Sequence, residues 1–332
     1  MQDRRSFVKT LGAGAAMAAL GPVAVHAQQS KPIDQVRVLY GFPAGSAGDT
    51  VARRVSERIG NSNYTKNMAV VENKPGAGGR IALETLKNSP GDGSVIALSQ
   101  SSAFSVYPHI YSKLSYTAKD FEPISIGAVM HHGLAIGPAV PESVKTLKDY
   151  LEWAKANPEK ANYGSPGAGS LPHLIGVLLS MSSGVKLNHV PYRGTAPNIA
   201  DLVGGQIASC MNPSGDYLSY YKAGKLRVLA TSGPQRNIYL PDVPTFAEQG
   251  FGDLTTEEWF GFYANAKTPA AVRANAHEAI TRALKEPAVK DNIGMVGLIA
   301  SPSSPEEMLR QQEAEYERWG PLVKKIGFSA DS

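Results

Sequence analysis

The stretch "VRVLYGFPAGSAGDTVARR" occupies residues 36–54. Val36–Phe42 is an apolar run of strand length. Asp49–Ile59 then places Val51, Ala52, Val55 and Ile59 at helical spacing, and Gly60 stops the pattern. Between them lies a glycine-rich turn, "GFPAGSAGD" (Gly41–Asp49). Strand, glycine turn and helix in that order form the opening half of a βαβ unit, which calls for a parallel sheet covered by helices.

The order recurs along the chain. "MAVVE" (Met68–Glu72) and "SVIALS" (Ser94–Ser99) are strands, with the turn "NKPGAGG" and the helix "RIALETLKN" between them. A second series follows. Leu147–Pro158 reads as a helix capped by Thr146, "NYGS" as a strand, Leu171–Met181 as a helix and "LNHVPY" as a strand. "APNIADLVGG" is then a helix ended by Gly204 and Gly205, with strands at "QIASCM" and "LRVLATS". After the apolar strand "WFGFYA" (Trp259–Ala264) only helices are expected, at Ala270–Lys285, Ala288–Met295 and Pro305–Lys325. A helical tail with no sheet of its own must pack on one built earlier. The reading is therefore two α/β lobes joined by two crossings, near Ile124–Gly137 and Glu257–Phe262, with a cleft between them. Residues 28–128 with 254–332 form one lobe and 129–253 the other.

Two glycine loops stand in matching positions, Gly41–Asp49 and "YGSPGAGSLPH" (Tyr163–His173). Each follows a strand and opens a helix, where unpaired N–H groups and the helix dipole favour an anion. Ser46, Ser165 and Ser170 add hydroxyl donors. Neither loop contains Lys or Arg, which points to a carboxylate rather than a polyphosphate. The loops lack the Gly-Lys-Ser/Thr ending of a phosphate loop. "VPYRGTAPNIADL" (Val190–Leu202) adds Tyr192, Arg193 and Thr195 at a strand end, and "SQSS" (Ser99–Ser102) turns Ser101 and Ser102 towards the cleft. Each of these also has a plain structural reading, as packing or as a solvated rim.

"AGSAG" (Ala44–Gly48) falls one glycine short of a G-x-S-x-G nucleophile elbow. Ser46 with Asp201 or Asp216 and His277 would give the chain order of a hydrolase triad, although His277 falls on a helix with an exposed pattern. A secreted serine esterase therefore stays as an alternative. His131 and His132 are neighbours on a strand, point to opposite faces and cannot chelate together; no metal and no cofactor is expected. The single cysteine, Cys210, precludes a disulfide within the chain and reads as a small core residue.

The first 27 residues read as an export signal: twin arginines Arg4 and Arg5, an apolar stretch from Leu11 to Val25, and "VHA" before Gln28. The segment carries Asp3, Arg4, Arg5 and Lys9, so its removal lowers the formal net charge from +4 to +2. That charge is too small and too evenly spread for a nucleic-acid partner.

Several of these segments together resemble the extracytoplasmic solute receptors of the tripartite tricarboxylate transporter family, often called Bug receptors. Phe42, Pro43, Gly45 and Asp49 fit that family's F-P-P-G-G-x-x-D turn. "VENKPGAGG", "NYGSPGAGSLPHL", "VPYRGTAPNIADLVGGQI", "GKLRVLATS", "LPDVPTFAEQG" and "WFG" match in order along nearly the whole mature chain. The resemblance implies a periplasmic binding protein of two lobes that closes on a small carboxylate solute. It also implies delivery to integral membrane transporter subunits, with a solute sensor as the other role. Carried over by position, ligand contacts fall on Phe42, Gly45, Ser46, Ala47 and Asp49 in one lobe. In the other they fall on Ser165, Gly167, Ala168, Gly169, Ser170 and His173. Asp49 is expected to act within its own loop. Ala44 and Ser46 replace the family's second proline and second glycine, and Ala208 and Asn212 stand where it often has aspartate, so Asn212 bears on which distal group is accepted. A receptor that opens and docks is expected to be a monomer.

Overall fold

Arg37–Tyr40 (β1) alternates its side chains between two apolar layers. Val38 and Tyr40 pack with Val51 and Val55 of the following helix, while Leu39 packs on the other face with Leu83 and Leu86. This is the centre of a sheet covered on both sides. The computed structural model describes residues 31–331, so the export-signal reading of residues 1–27 lies outside the described residues.

The first sheet is built from β1, β2 (Val70–Asn73), β3 (Val95–Gln100) and β4 (Phe121–Met130). Helices α1 (Ala47–Ser56), α2 (Arg80–Lys87), α3 (Ser102–Ser105) and α4 (Tyr107–Ile110) lie between them. The second sheet holds β5 (His132–Ile136), β6 (Asn162–Ser165), β7 (Asn188–Pro191), β8 (Ser209–Pro213) and β9 (Arg227–Thr231). Its helices are α5 (Leu147–Ala156), α6 (Leu171–Ser183), α7 (Thr195–Val203) and α8 (Leu218–Lys222). The chain then returns to the first sheet as β10 (Glu258–Asn265), followed by α9 (Ala270–Lys285), α10 (Pro287–Met295), β11 (Ile299–Ala300) and α11 (Pro305–Ile326).

The strand orders are β11-β4-β10-β3-β1-β2 and β7-β6-β8-β5-β9. Two expectations are corrected here. The sheets are mixed rather than parallel: β10 runs antiparallel to β3 and β4, and β5 antiparallel to β8 and β9. These are the strands that pass between sheets without a crossover helix, so nothing forces them to run with their neighbours. The tail is also not purely helical, since Ile299 and Ala300 pair with Val129 and Ala128 at the sheet edge. The tail helices do pack on the first sheet. Ile280, Ala283 and Ile293 join the layer of Val38, while Met308, Trp319 and Val323 join that of Leu39.

The two connections run side by side. β4 ends at Met130 and β5 begins at His132, while Glu258, at the start of β10, pairs with Met130. Ser232 N–H donates to the His132 carbonyl (2.8 Å), and Thr256 N–H donates to that of Ser232 (2.7 Å). Cys210 is fully buried beneath α7 with Ile199 and Leu202, and burial pushes its thiol up to about 12, as a core residue requires. Among the described residues no helix is long and apolar enough to cross a membrane.

Candidate functional site

Both glycine loops lie at the carboxyl ends of their sheets' parallel strands, where open α/β sheets receive ligands. In the first loop Gly45 has φ +84°, a conformation that glycine adopts without strain. Asp49 holds it there. Its Oδ2 accepts from Gly45 N–H (2.9 Å) and Arg53 Nε (2.8 Å), and its Oδ1 accepts from Asn73 Nδ2 (2.8 Å). Asn73 also donates to the Phe42 carbonyl (3.0 Å). Burial opposes the charge of Asp49, but the bonds from Arg53, Asn73 and Gly45 outweigh it and hold the carboxyl below its usual range. Asp49 thus braces the turn ahead of α1.

Ser46 occupies the N-cap position of α1 without capping it. Its hydroxyl donates to the Pro43 carbonyl (2.9 Å) and lies 3.3 Å from the Tyr40 hydroxyl. The first-turn N–H groups of Ala47, Gly48 and Asp49 therefore have no side-chain cap and no intrahelical acceptor. His277 bonds through Nδ1 to the Ile124 carbonyl (2.9 Å) and Tyr192 donates to Asp201 (2.8 Å). The hydroxyl of Ser46 contacts none of His277, Asp201 and Asp216.

The second loop is closed on itself. Ser170 caps α6 by accepting from His173 N–H (3.4 Å) and donates to the Gly167 carbonyl (2.7 Å). His173 Nδ1 accepts from Gly169 N–H (3.1 Å). Ser165, fully buried, shares a hydrogen bond with His189 Nε2 (2.7 Å), whose ring lies 3.9 Å from that of His173. Burial pulls His173 down to about 3, helped by His189, and pulls His189 down to about 4. Both rings are neutral at physiological pH. Ala168 sits at the loop tip, between Gly167 and Gly169. Across the cleft, the Phe328 ring meets His173 edge-on (4.9 Å), and Ile110 approaches Gly169.

The remaining sequence candidates divide into two groups. Ser101 and Ser102 are buried, and their hydroxyls go to the carboxylates of Glu315 and Glu258. Asn212 is fully buried and accepts from Asn198 Nδ2 (2.9 Å). Thr195 hydrogen-bonds Asp216. Arg193 is exposed and makes no hydrogen bond or ion pair among the described residues.

Sequence reasoning missed the polar floor under these loops. His131 Nε2 hydrogen-bonds Glu257 Oε1 (2.9 Å), and His132 Nε2 lies 3.1 Å from Glu258 Oε2 without hydrogen-bond geometry. Trp259 Nε1 donates to Glu315 (2.6 Å). Burial pushes Glu315 up to about 7, against hydrogen bonds from Trp259, Ser101 and Gln311 and with help from Glu258. Burial likewise raises Asp216 to about 6, opposed by Thr195 and His132. The doublets "HH" (131–132) and "EE" (257–258) at the two crossings were the available signal. Two other surface concavities, one bounded by Asn61 and Arg282, the other by Lys148 and Phe251, touch neither loop.

Comparison with known proteins bears on the family and the fold. The sequence model described as "Tripartite tricarboxylate transporter family receptor" matches residues 51–328. The chain is similar to the "UPF0065 protein in gbd 5'region" of Cupriavidus necator, 31% identical over 98% of this chain and 99% of that one. Among solved structures it is similar to a periplasmic transporter (34% identical, 90% of this chain and 99% of that one, TM-score 0.81). It is also similar to Rpa4515 of R. palustris with adipate (27% identical, 90% and 99%, TM-score 0.81). The two-lobed α/β architecture is therefore that of the periplasmic binding proteins, and the chain belongs to the tripartite tricarboxylate transporter family of receptors.

Proposed function

We propose that this chain is an exported, periplasmic receptor that closes on a small carboxylate-bearing solute between loops 41–49 and 163–173 and delivers it to integral membrane transporter subunits. One observation carries the reading: the N-cap serine of α1 is turned away from its helix, leaving the first-turn N–H groups beside Ser46 free in a loop braced by Asp49. Donors left bare at the carboxyl end of a sheet are suited to an anion. With no lysine or arginine in either loop, a single carboxylate is the anion that neutral donors can satisfy. Charge-assisted bonds of this kind strengthen once closure excludes water. The R. palustris relative with adipate supports a carboxylate as the class. The lobes are residues 28–128 with 254–332 and residues 129–253, hinged at the paired connections beside Met130 and Glu258. Contacts of Phe328 and Ile110 with the second loop mark the surfaces that meet on closure.

The test is a thermal-shift panel on the mature protein with mono- and dicarboxylates, amino acids and aromatic acids. A ligand at 100 times its Kd adds about 2.7 kcal/mol. A panel in which no carboxylate stabilises the protein, while ester substrates are turned over, would overturn the receptor in favour of an esterase on Ser46.

A further inference from the structure

Beyond α11 the chain turns at Gly327, and residues 327–331 run back to α4, where they are fastened. Ala330 N–H donates to the Ile110 carbonyl (2.8 Å), which ends α4 and has no acceptor role inside that helix. The Asp331 carboxylate accepts from Ser112 N–H. α4 is itself held to α11: His109 Nε2 lies 3.0 Å from the Tyr316 carbonyl, and the two rings are 4.4 Å apart. Trp319 and Val323 bury the other side of α11 in the core of the first sheet. The segment, α4 and α11 therefore form one body with the first lobe.

Within this segment stands Phe328, half-buried, and its ring meets the glycine loop of the other lobe. It lies edge-on to the His173 ring, with the centroids 4.9 Å apart. With Ile110 it also closes on Gly169. A Cβ built on Gly169 would fall 3.3 Å from the Phe328 ring and 3.1 Å from Ile110 Cδ1, and Gly169 has φ +77°. Glycine is thus required there twice, for its backbone angle and for the room it leaves to two side chains of the first lobe. The residues touched are those that shape the loop, since Gly169 N–H donates to His173 Nδ1 (3.1 Å). The contact of the Phe328 ring is apolar, so parting it orphans no buried donor or acceptor. A segment hydrogen-bonded to one lobe presents a separable apolar contact to the other.

We propose that Phe328 is the latch of the closed receptor: held on the first lobe by Ala330 and Asp331, it seats on Gly169 and His173 when the lobes close and fixes the second loop in its solute-holding shape. It is a positioning residue, acting on the loop rather than on the solute. A contact made only in the closed arrangement raises the closed population, and apparent affinity follows that population. The effect falls on dissociation, because the solute enters before the latch is seated. The proposal rests on the reading above of two lobes that close on a carboxylate.

Spin labels on Lys155→Cys in α5 and Lys285→Cys in α9, exposed positions on opposite lobes, report lobe separation by pulsed dipolar spectroscopy of the mature protein; Cys210 is fully buried and takes no label. The probes are succinate, adipate, 6-aminohexanoate and benzoate, with calorimetry for Kd and a labelled-probe chase for the dissociation rate. The best-binding probe should shift the distance distribution of the protein with native Phe328. Phe328→Ala should lower the shifted fraction at a fixed probe concentration and raise Kd at least about tenfold, mostly through faster dissociation. Phe328→Leu, which keeps an apolar contact, should restore both to within about threefold. Asp331→Ala, which frees one anchor at an exposed site, should fall between and carries the test if Phe328→Ala does not fold. Folded Phe328→Ala and Asp331→Ala proteins that close and bind like the native one overturn the latch and leave the receptor standing. So does a native protein that binds a probe with no change in distance, since the Phe328 contact then never parts. Binding of no probe, with one unchanging distance, overturns both readings.

Discussion

Replacing Ser46 with aspartate separates the stability of the first loop from its function. The wild-type serine makes no cap bond to α1, so an aspartate that accepts from the N–H groups of Gly48 or Asp49 adds a new interaction. A cap is worth about 0.5–2 kcal/mol, and a negative charge at a helix N-terminus about 0.3–1 kcal/mol. Against this stand the lost bond to the Pro43 carbonyl, about 0.5–1.5 kcal/mol, and repulsion from Asp49 one turn away. The net change should lie between zero and about +1 kcal/mol. Binding should respond in the opposite sense, because the introduced carboxylate occupies the donors that the solute needs. Two lost charge-assisted bonds at about 1.5–3 kcal/mol each correspond to at least about 100-fold weaker affinity. Ser46→Ala removes no cap and should weaken binding less than about tenfold. Urea unfolding and calorimetric titration with the best carboxylate of the panel give both numbers. A Ser46→Asp protein that binds within threefold of wild type would show that the anion does not sit on α1. One destabilised by more than about 2 kcal/mol would show that the N–H groups were already satisfied.

Asp49→Ala should destabilise by about 2–4 kcal/mol in urea unfolding, because it orphans Gly45 N–H, Arg53 and Asn73 together; a change under about 0.5 kcal/mol would refute the bracing role. Glu315 keeps its proton up to about 7 in the fold against an ordinary value near 4.5, so the native state binds more protons across that window and this residue's contribution falls as pH rises from 4.5 to 7. Glu315→Gln should remove on the order of 1–3 kcal/mol of pH dependence between pH 5 and 7.5, and equal slopes for variant and wild type would refute it. His173 and His189, lowered to about 3 and 4, contribute stability present above the unfolded value of about 6.5 and lost as pH falls towards 4. Their imidazole NMR signals should not titrate between pH 8 and 5, and a midpoint near 6.5 would contradict their placement.

The elements that depend on neighbours in sequence were legible. The strand, turn and helix of residues 36–60, the Thr146 cap, and α9 as Ala270–Lys285 all follow from local periodicity and end signals, and the structure adds Asp149 as the partner of Thr146. The α1 boundaries moved to Ala47–Ser56 because Ser46, not a residue nearer Asp49, takes the N-cap position. Strand direction was not legible. β10 reads as an apolar run in either orientation, and only the return of the chain from the second sheet makes it antiparallel. The polar floor was hidden for a related reason. Ser102 and Glu258 are 156 residues apart, and His131 and Glu257 are 126 apart, so no local pattern joins them. Asp216 entered only as a member of a hydrolase triad, and the raised carboxyl of Glu315 had no signal of its own.

The two glycine loops look alike in sequence but differ in what they leave unsatisfied. In the second, Ser170 caps its own helix, His173 takes the Gly169 N–H and His189 holds Ser165. These groups are taken up within the second lobe, and burial holds the two adjacent imidazoles in their neutral form, so this side offers little charge. In the first, Asp49 takes the Gly45 N–H ahead of the helix while Ser46 turns outward to Pro43, and the helix end is left for something else. The family's glycine at position 46 would leave that end equally bare. A serine is tolerated there because its hydroxyl has a competing acceptor in the Pro43 carbonyl and a neighbour in Tyr40. The departure from the family pattern at Ser46 therefore keeps the end of α1 uncapped, as a glycine there would, because the serine hydroxyl is spent on the Pro43 carbonyl.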